Sequence, residues 1–341
     1  MEEAFRERGH ANVLIAGRTG VGKSTLINSV FHGDLATTGQ GRPVTQNTRE
    51  ITKEGEPLSI FDTRGLEMAD FSGTLGSLES FVSERRADPD PTKHIHVAWV
   101  CIAEDSRRVE DAETELTAML SRFVPVIGVV TKARSDDGFR AKVQDLLRDA
   151  RNVARVRAIP ERDDDGHTRP PMGLEGLVKL TADALPEGQK SALVAAQKAD
   201  LALKHNRAQE IVAWAAAAAF AIGATPIPLA DTGPLLAVQI GMLTRISAVY
   251  GLSPSSGFLS TLATSMVGGT ISTLTGRLIV GGLLKLFPGI GSVAGGAISG
   301  STAAALTTSF GATYIASLDA VFARSAGETP SEEEVLDELK R

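Results

Sequence analysis

Eight contiguous residues near the start of the chain, Gly17-Arg18-Thr19-Gly20-Val21-Gly22-Lys23-Ser24, read G-x-x-x-x-G-K-S without a mismatch. Such a run must close a loop between a strand and a helix, which leaves few folds open. Its glycines let successive backbone N–H groups converge on anionic oxygens, and the helix N-terminus that follows adds the positive end of its dipole. The flanks conform. Val13-Leu14-Ile15-Ala16 is an apolar run suited to a buried parallel strand, and Thr25 to Phe31 reads as a helix ended by His32-Gly33. The chain is therefore expected to bind a nucleoside triphosphate along Gly17, Gly20, Val21, Gly22, Lys23, Ser24 and Thr25. Lys23 would reach the β- and γ-phosphates, Ser24 would offer its hydroxyl to Mg²⁺, and Thr25 would support the α-phosphate.

A second marker is Asp62-Thr63-Arg64-Gly65, preceded by the strand-like Leu58-Ser59-Ile60-Phe61. A carboxylate at a strand end can hold Mg²⁺ directly or through water, and the Gly65 N–H can then sense the γ-phosphate. Between the two markers, Gly39 to Thr48 is polar and Gly-rich, the composition of a loop. A threonine there can close over Mg²⁺ and the γ-phosphate; Thr45 is the first choice and Thr48 the second, against the alternative of two solvated loop threonines.

GRTGVGKST, PVT and DTRG, in this order and spacing, resemble the translation-factor-related GTPases, with the Era-like and immunity-related (interferon-inducible) branches nearest. The likeness covers roughly residues 11–185. It implies an α/β, Ras-like P-loop domain: a mostly parallel, doubly wound, six-stranded sheet with helices on both faces. The apolar runs His96 to Ile102 and Pro125 to Val130 fit further strands. The resemblance also implies a guanine-reading Asn/Thr-Lys-x-Asp motif. Here the residues are Thr131-Lys132-Ala133-Arg134, so Thr131 and Lys132 match and Arg134 stands where the aspartate belongs. Arginine accepts no hydrogen bond. Asp136 or Asp137 would substitute if the loop were longer, and Ala158 with Ile159 would offer backbone N–H groups to the base. Leu66 occupies the place of the water-orienting glutamine, so slow intrinsic turnover is expected, aided by a partner subunit, by Arg64 or by a backbone group. Arg18, within the phosphate loop, is either a source of transition-state charge or a solvated loop cation.

The rest of the chain differs in composition. Glu210 and Asp231 bracket 20 residues without charge, Arg245 and Arg277 bracket 31, and Lys285 and Asp319 bracket 33. Those lengths reach what a membrane span needs. Frequent Gly, Ser and Thr, together with Pro226, Pro228 and Pro288, argue for a tight helical bundle instead, as do the G-x-x-x-G spacings at Gly291/Gly295 and Gly296/Gly300. The stretches ATPIPLAD, LLAVQIGML and FPGIGSVAGGAISG resemble an uncharacterised bacterial helical module, often taken as membrane-associated and fused to Era-like GTPases. The expected organisation is a GTP-binding domain over 1–188 and an all-α, Gly/Ala-rich domain over 189–341.

With 35 Lys+Arg against 41 Asp+Glu, the formal net charge is −6, and no nucleic-acid partner is expected. The single cysteine, Cys101, forms no internal disulfide, which suits a reducing, cytoplasmic setting with or without membrane contact. The leading expectation is a Mg²⁺-dependent GTPase switch that binds GTP and GDP, couples nucleotide state to a helical effector domain, and forms a homodimer or oligomer through the G domain. The alternatives are a nucleotide-dependent membrane remodeller or scaffold, and a nucleotide-binding module with negligible turnover.

Overall fold

The computed structural model describes residues 9–31, 40–45, 48–52, 57–63, 71–162, 166–198, 200–224, 233–267, 300–325 and 330–339. Arg64, Gly65, Leu66, the three prolines named above and all of the G-x-x-x-G glycines except Gly300 lie outside the described residues. The chain forms two compact units, Arg8–Asp200 and Leu201–Arg341.

The first unit is built on strands whose apolar runs leave no side for water. β1 (Ala11–Ala16), β5 (Val97–Ala103) and β6 (Val126–Thr131) are buried at every position, as strands sandwiched between two helical layers must be. With β2 (Gln40–Pro43), β3 (Thr48–Thr52), β4 (Leu58–Thr63) and β7 (Asn152–Arg155) they form a sheet in the order β2-β3-β4-β1-β5-β6-β7. β4, β1, β5, β6 and β7 run parallel, whereas β3 is antiparallel to β4 and β2 to β3. This is the Ras-like fold. The expected six strands become seven among the described residues because Gln40–Pro43, read as loop, adds to the outer edge of β3.

Helices α1 (Lys23–Val30), α2 (Phe71–Ala87), α3 (Asp111–Ser121), α4 (Phe139–Leu146), α5 (Leu174–Ala184) and α6 (Glu187–Ala196) complete the unit. On one face, Leu78, Phe81, Leu116 and Val143 pack with Leu14, Phe61 and Val100 of the strands. On the other, the buried Trp99 donates its indole N–H to Thr181 Oγ1 at 3.1 Å and stacks on Phe31 at 5.9 Å. α6 packs against β1 and β4, and the chain beyond it returns to the end of α1, where the Lys198 N–H donates to the Val30 carbonyl at 2.8 Å.

The two histidines at the start of β5 bond backbone. His94 Nε2 lies 2.7 Å from the Asp88 carbonyl, and His96 Nε2 lies 3.0 Å from that of Pro91. His96 Nδ1 accepts the Asn12 backbone N–H at 2.9 Å, which requires the neutral Nε2–H tautomer. Burial pulls the His96 pKa from 6.5 down to about 4. Its folded value lies below its unfolded one, so the unfolded chain binds more protons between them. The His96 contribution is whole above pH 6.5 and falls away as the pH drops toward 4, a loss of about 3 kcal/mol at most. Urea denaturation at pH 7, 5.5 and 4.5 is expected to show a shallower acid slope in His96→Asn than in the parent. Parallel slopes would contradict this assignment.

In the second unit, α7 (Leu201–Ala224), α8 (Gly233–Val249), α9 (Ser256–Val267), α10 (Gly300–Arg324) and α11 (Glu332–Leu339) bundle around an α7–α10 pair. Small residues set that approach: a Cβ on Gly311 would come within 2.5 Å of Val212 Cγ2, and one on Gly300 within 2.6 Å of the Phe220 carbonyl oxygen. On α8, Met242, Ile246 and Val249 are buried and Val238 is half-buried, so its apolar residues share one stripe. Polar groups also pair with one another across the helices of the bundle. Asp319 joins His205 Nδ1 at 2.6 Å to the Tyr250 hydroxyl at 2.5 Å. The buried Lys204 donates to the Tyr250 carbonyl at 3.2 Å. No described helix is long and apolar enough to cross a membrane.

Candidate functional site

The phosphate loop leaves β1 and enters α1 with three glycines in backbone conformations that L side chains rarely adopt: Gly17 at φ 147°, Gly20 at 79° and Gly22 at 93°. Gly17 also has no room, since a Cβ would lie 2.5 Å from the Cys101 carbonyl oxygen of β5; one on Gly20 or Gly22 would meet nothing within 4 Å. Gly22 is the N-cap of α1, and no side chain accepts a hydrogen bond there. Lys23, Ser24 and Thr25 form the first turn of that helix. The Lys23 ammonium crosses the loop's hollow and donates to the carbonyls of Gly17 at 2.7 Å and Arg18 at 3.1 Å. A cradle of this kind, open where side chains are missing and carrying one compact cation, fits a polyphosphate.

Beside it, Asp62 lies near the end of β4, level with Ile15 of β1, and Thr63 donates to the Ile15 carbonyl at 3.3 Å. Thr48 is buried in β3 opposite Thr63, so it is a strand residue and not the loop ligand considered as second choice. Thr45 occupies the turn between β2 and β3, where its N–H and that of Val44 both donate to the Thr48 carbonyl. Ser24, Thr45 and Asp62, the residues expected to hold a cation, all offer oxygen, the donor chemistry that suits a hard cation such as Mg²⁺. Cys101 lies beneath the loop, fully buried. Burial pushes its thiol up to about 12, with Lys23 opposing and Asp62 reinforcing the shift. It stays protonated and is no nucleophile.

Next to the loop lies a cavity of about 230 Å³ that brings together Gly22, Thr25, Thr131, Lys132 and Ala158 from three separate segments. The Thr131 hydroxyl lies 2.6 Å from the Val21 carbonyl and ties the end of β6 to the phosphate loop. Lys132 adopts φ 53° and pairs with Asp105 at 3.2 Å. The two aspartates considered as substitutes for the missing one face elsewhere. Asp136 accepts the Arg140 N–H at 2.8 Å, Asp137 binds Arg107 at 3.1 Å and the Ser135 hydroxyl at 3.0 Å, and neither lines the cavity. Arg18 is paired with Glu110, at the N-cap of α3, and its side chain stays 43% exposed.

Four residues of this site carry no motif: Glu104, Asp105, Arg157 and Glu161. Glu104 is fully buried at the end of β5 and accepts the backbone N–H groups of Arg134 at 2.6 Å and Ser135 at 2.8 Å while pairing with Arg155. Burial pushes its pKa up, but Arg155 and the two N–H donors outweigh that and hold it below the ordinary glutamate value. Arg157, also buried, donates to the Ala133 carbonyl at 2.8 Å from the opposite side. Together they clamp the loop that carries Lys132 and Arg134. The one available sequence signal was the charged pair Glu104-Asp105 directly after an apolar run, at the C-terminal end of a parallel strand where ligand sites gather.

Residues 12–132 match the family described as 50S ribosome-binding GTPase, and residues 188–341 match a domain of unknown function, DUF697. The first unit is thus a P-loop GTPase domain. More particularly, the chain joins such a domain to a DUF697 helical region. The tRNA modification GTPase MnmE of Paracidovorax citrulli is 30% identical over 189 residues, 52% of this chain and 37% of that protein. Magnetosome membrane protein 22 of Magnetospirillum gryphiswaldense is 29% identical over 98 residues, 29% of this chain and 50% of that protein. A solved structure of a probable GTP-binding protein, engB, aligns at a TM-score of 0.30 with 18% identity, over 43% of this chain and 89% of that one. The chain therefore spans between about a third and a half of the length of these two curated relatives.

Proposed function

We propose that this chain binds GTP and GDP with Mg²⁺, hydrolyses GTP slowly, and acts as a switch that couples nucleotide state to its helical region. The observation that carries this reading is the single surface running from the Lys23 cradle through Gly22 and Thr25 to Lys132 and Ala158. In it Lys23 exchanges its two loop carbonyls for phosphate oxygens, while Gly17, Gly20, Val21 and Gly22 provide the curled backbone. Ser24, Thr45 and Asp62 hold Mg²⁺, which when bound neutralises charge on the phosphates. Thr131 and Lys132 support the base beside Ala158. Arg64 and Gly65 take part in hydrolysis. The Era-like or immunity-related branch, a GTP-binding domain over 1–188 with a helical domain over 189–341, and self-association through the G domain belong to the same proposal.

The test is phosphate release from GTP by the full chain, with Mg²⁺ and with excess EDTA. Release that depends on Mg²⁺ and saturates with GTP supports the reading. Tight GTP binding with no product over hours favours the pure binding module instead. Absence of both binding and release overturns it.

A second reading, nucleotide-dependent membrane contact, draws on the likeness to a magnetosome membrane protein and on two large side chains of α7, Trp214 and Phe220, that are 54% and 51% exposed. Flotation with phosphatidylethanolamine/phosphatidylglycerol vesicles, with and without a non-hydrolysable GTP analogue, tests it. Failure to float in either state eliminates it.

A further inference from the structure

Where the motif would carry a base-reading carboxylate, this chain carries a guanidinium. Arg134 does not leave that end of the cavity cationic. Its Nε donates to Glu161 Oε1 at 2.6 Å, and its Nη2 bonds the same oxygen. Both residues line the cavity, with Lys132 and Ala158. Arg134 itself is placed from behind, because its backbone N–H is held by the buried Glu104. The Arg134 guanidinium keeps the Glu161 carboxyl below the ordinary glutamate range, so it is ionised at neutral pH. Both contacts from Arg134 fall on Oε1, and no described residue hydrogen-bonds Oε2.

The chemistry of the bases decides what such a group selects. Guanine presents the N1–H and the exocyclic N2 amine side by side, two donors that one carboxylate accepts together. Adenine presents a lone pair at N1, which a carboxylate repels. Arginine and lysine offer only donors and cannot read the guanine edge. The cavity is lined by two carboxylates, Asp105 and Glu161. Each is paired with a cation, Asp105 with Lys132 and Glu161 with Arg134, but the Asp105 side chain is 51% exposed, against 28% for Glu161. A hydrogen bond to the more shielded group discriminates better.

We infer that Glu161, steered by Arg134, is the specificity-determining carboxylate that accepts the two guanine donors, in place of the aspartate absent from position 134. The inference rests on the nucleotide site proposed above and adds the group that chooses the base.

Competition against a fluorescent N-methylanthraniloyl-GDP probe, on the full chain with Mg²⁺, measures the affinities of GTP, ATP and xanthosine triphosphate. The parent is expected to prefer GTP. In Glu161→Gln the amide still accepts from N1–H but donates where guanine also donates, so GTP should weaken by about 10- to 100-fold. Xanthine carries a carbonyl oxygen at that place, so xanthosine triphosphate should gain and the preference narrow or invert. Arg134→Ala, which frees Glu161 from its support, should weaken GTP by a smaller factor and lower the GTP-to-xanthosine-triphosphate ratio, a readout that mere loosening of the fold would not move. The pair is partly exposed, so both variants should melt within a few degrees of the parent. A parent that prefers GTP over ATP, with that ratio unchanged in Glu161→Gln, overturns the inference and leaves the GTPase reading standing. A parent that binds GTP and ATP equally also overturns it. A parent that binds the probe and all three nucleotides undetectably overturns both.

Discussion

Lys23→Ala is expected to lower phosphate release from GTP by at least about 100-fold, because a single preorganised charge on a transferring phosphoryl group is worth that much. Among the described residues the ammonium bonds the Gly17 and Arg18 carbonyls of its own loop. Removing it costs two local, part-exposed hydrogen bonds, and alanine suits the first turn of α1 at least as well. The fold should therefore lose no more than about 1 kcal/mol. Phosphate release, titration calorimetry with Mg²⁺ and GTP, and a thermal melt on the same preparation separate the two effects. A variant that releases phosphate as fast as the parent would remove Lys23 from the site. One that unfolds at low temperature would mean that the lysine holds the loop rather than the nucleotide.

Gly17→Ala should act through the opposite route, harming the fold and the site together. The added Cβ would lie 2.5 Å from the Cys101 carbonyl oxygen and 3.1 Å from Cys101 Cβ. Neither can yield cheaply, since β5 is hydrogen-bonded between β1 and β6 and is buried along its whole length. Overpacking of this kind costs about 1–3 kcal/mol, and φ 147° at residue 17 adds backbone strain of similar size. The expected loss is about 2–4 kcal/mol in urea denaturation, with nucleotide binding lost as the loop is displaced. Gly20→Ala is the control: its φ is also positive, at 79°, but a Cβ there meets nothing within 4 Å. It should lose only about 1–2 kcal/mol. Equal losses at the two positions would show that conformation alone, and not the approach of β5, requires glycine at 17.

The parts of the molecule that were legible in the chain are those in which one short segment does one job. β1, the phosphate loop and α1 are contiguous, and Gly17 to Thr25 could be read in order because backbone conformation and ligand contacts are set by neighbours in sequence. The central strands were legible for a related reason: a strand covered on both faces must be apolar throughout, and Val97 to Ala103 is. The edge of the sheet was harder. Gln40-Gly41-Arg42-Pro43 carries a loop composition and becomes a strand only because β3 offers it a free row of hydrogen-bonding groups. In the second unit, the long uncharged stretches reach the length of membrane spans, while their Gly, Ser and Thr and the interrupting prolines argued for a tight bundle. The buried Lys204 and the His205–Asp319–Tyr250 chain favour the bundle, and those partners are about 50 or more residues apart in sequence.

From its sequence alone the chain is committed to a polyphosphate-binding loop on a parallel sheet and to a helical region of small residues, since both follow from steric and charge rules acting within a few residues. The base-reading end of the site belongs to the tertiary structure. Glu104 and Glu161 lie 30 and 27 residues from the Arg134 they bind. A carboxylate acquires such a role only when folding sets it against its donors in a shielded place, and spacing along the chain carries no trace of that.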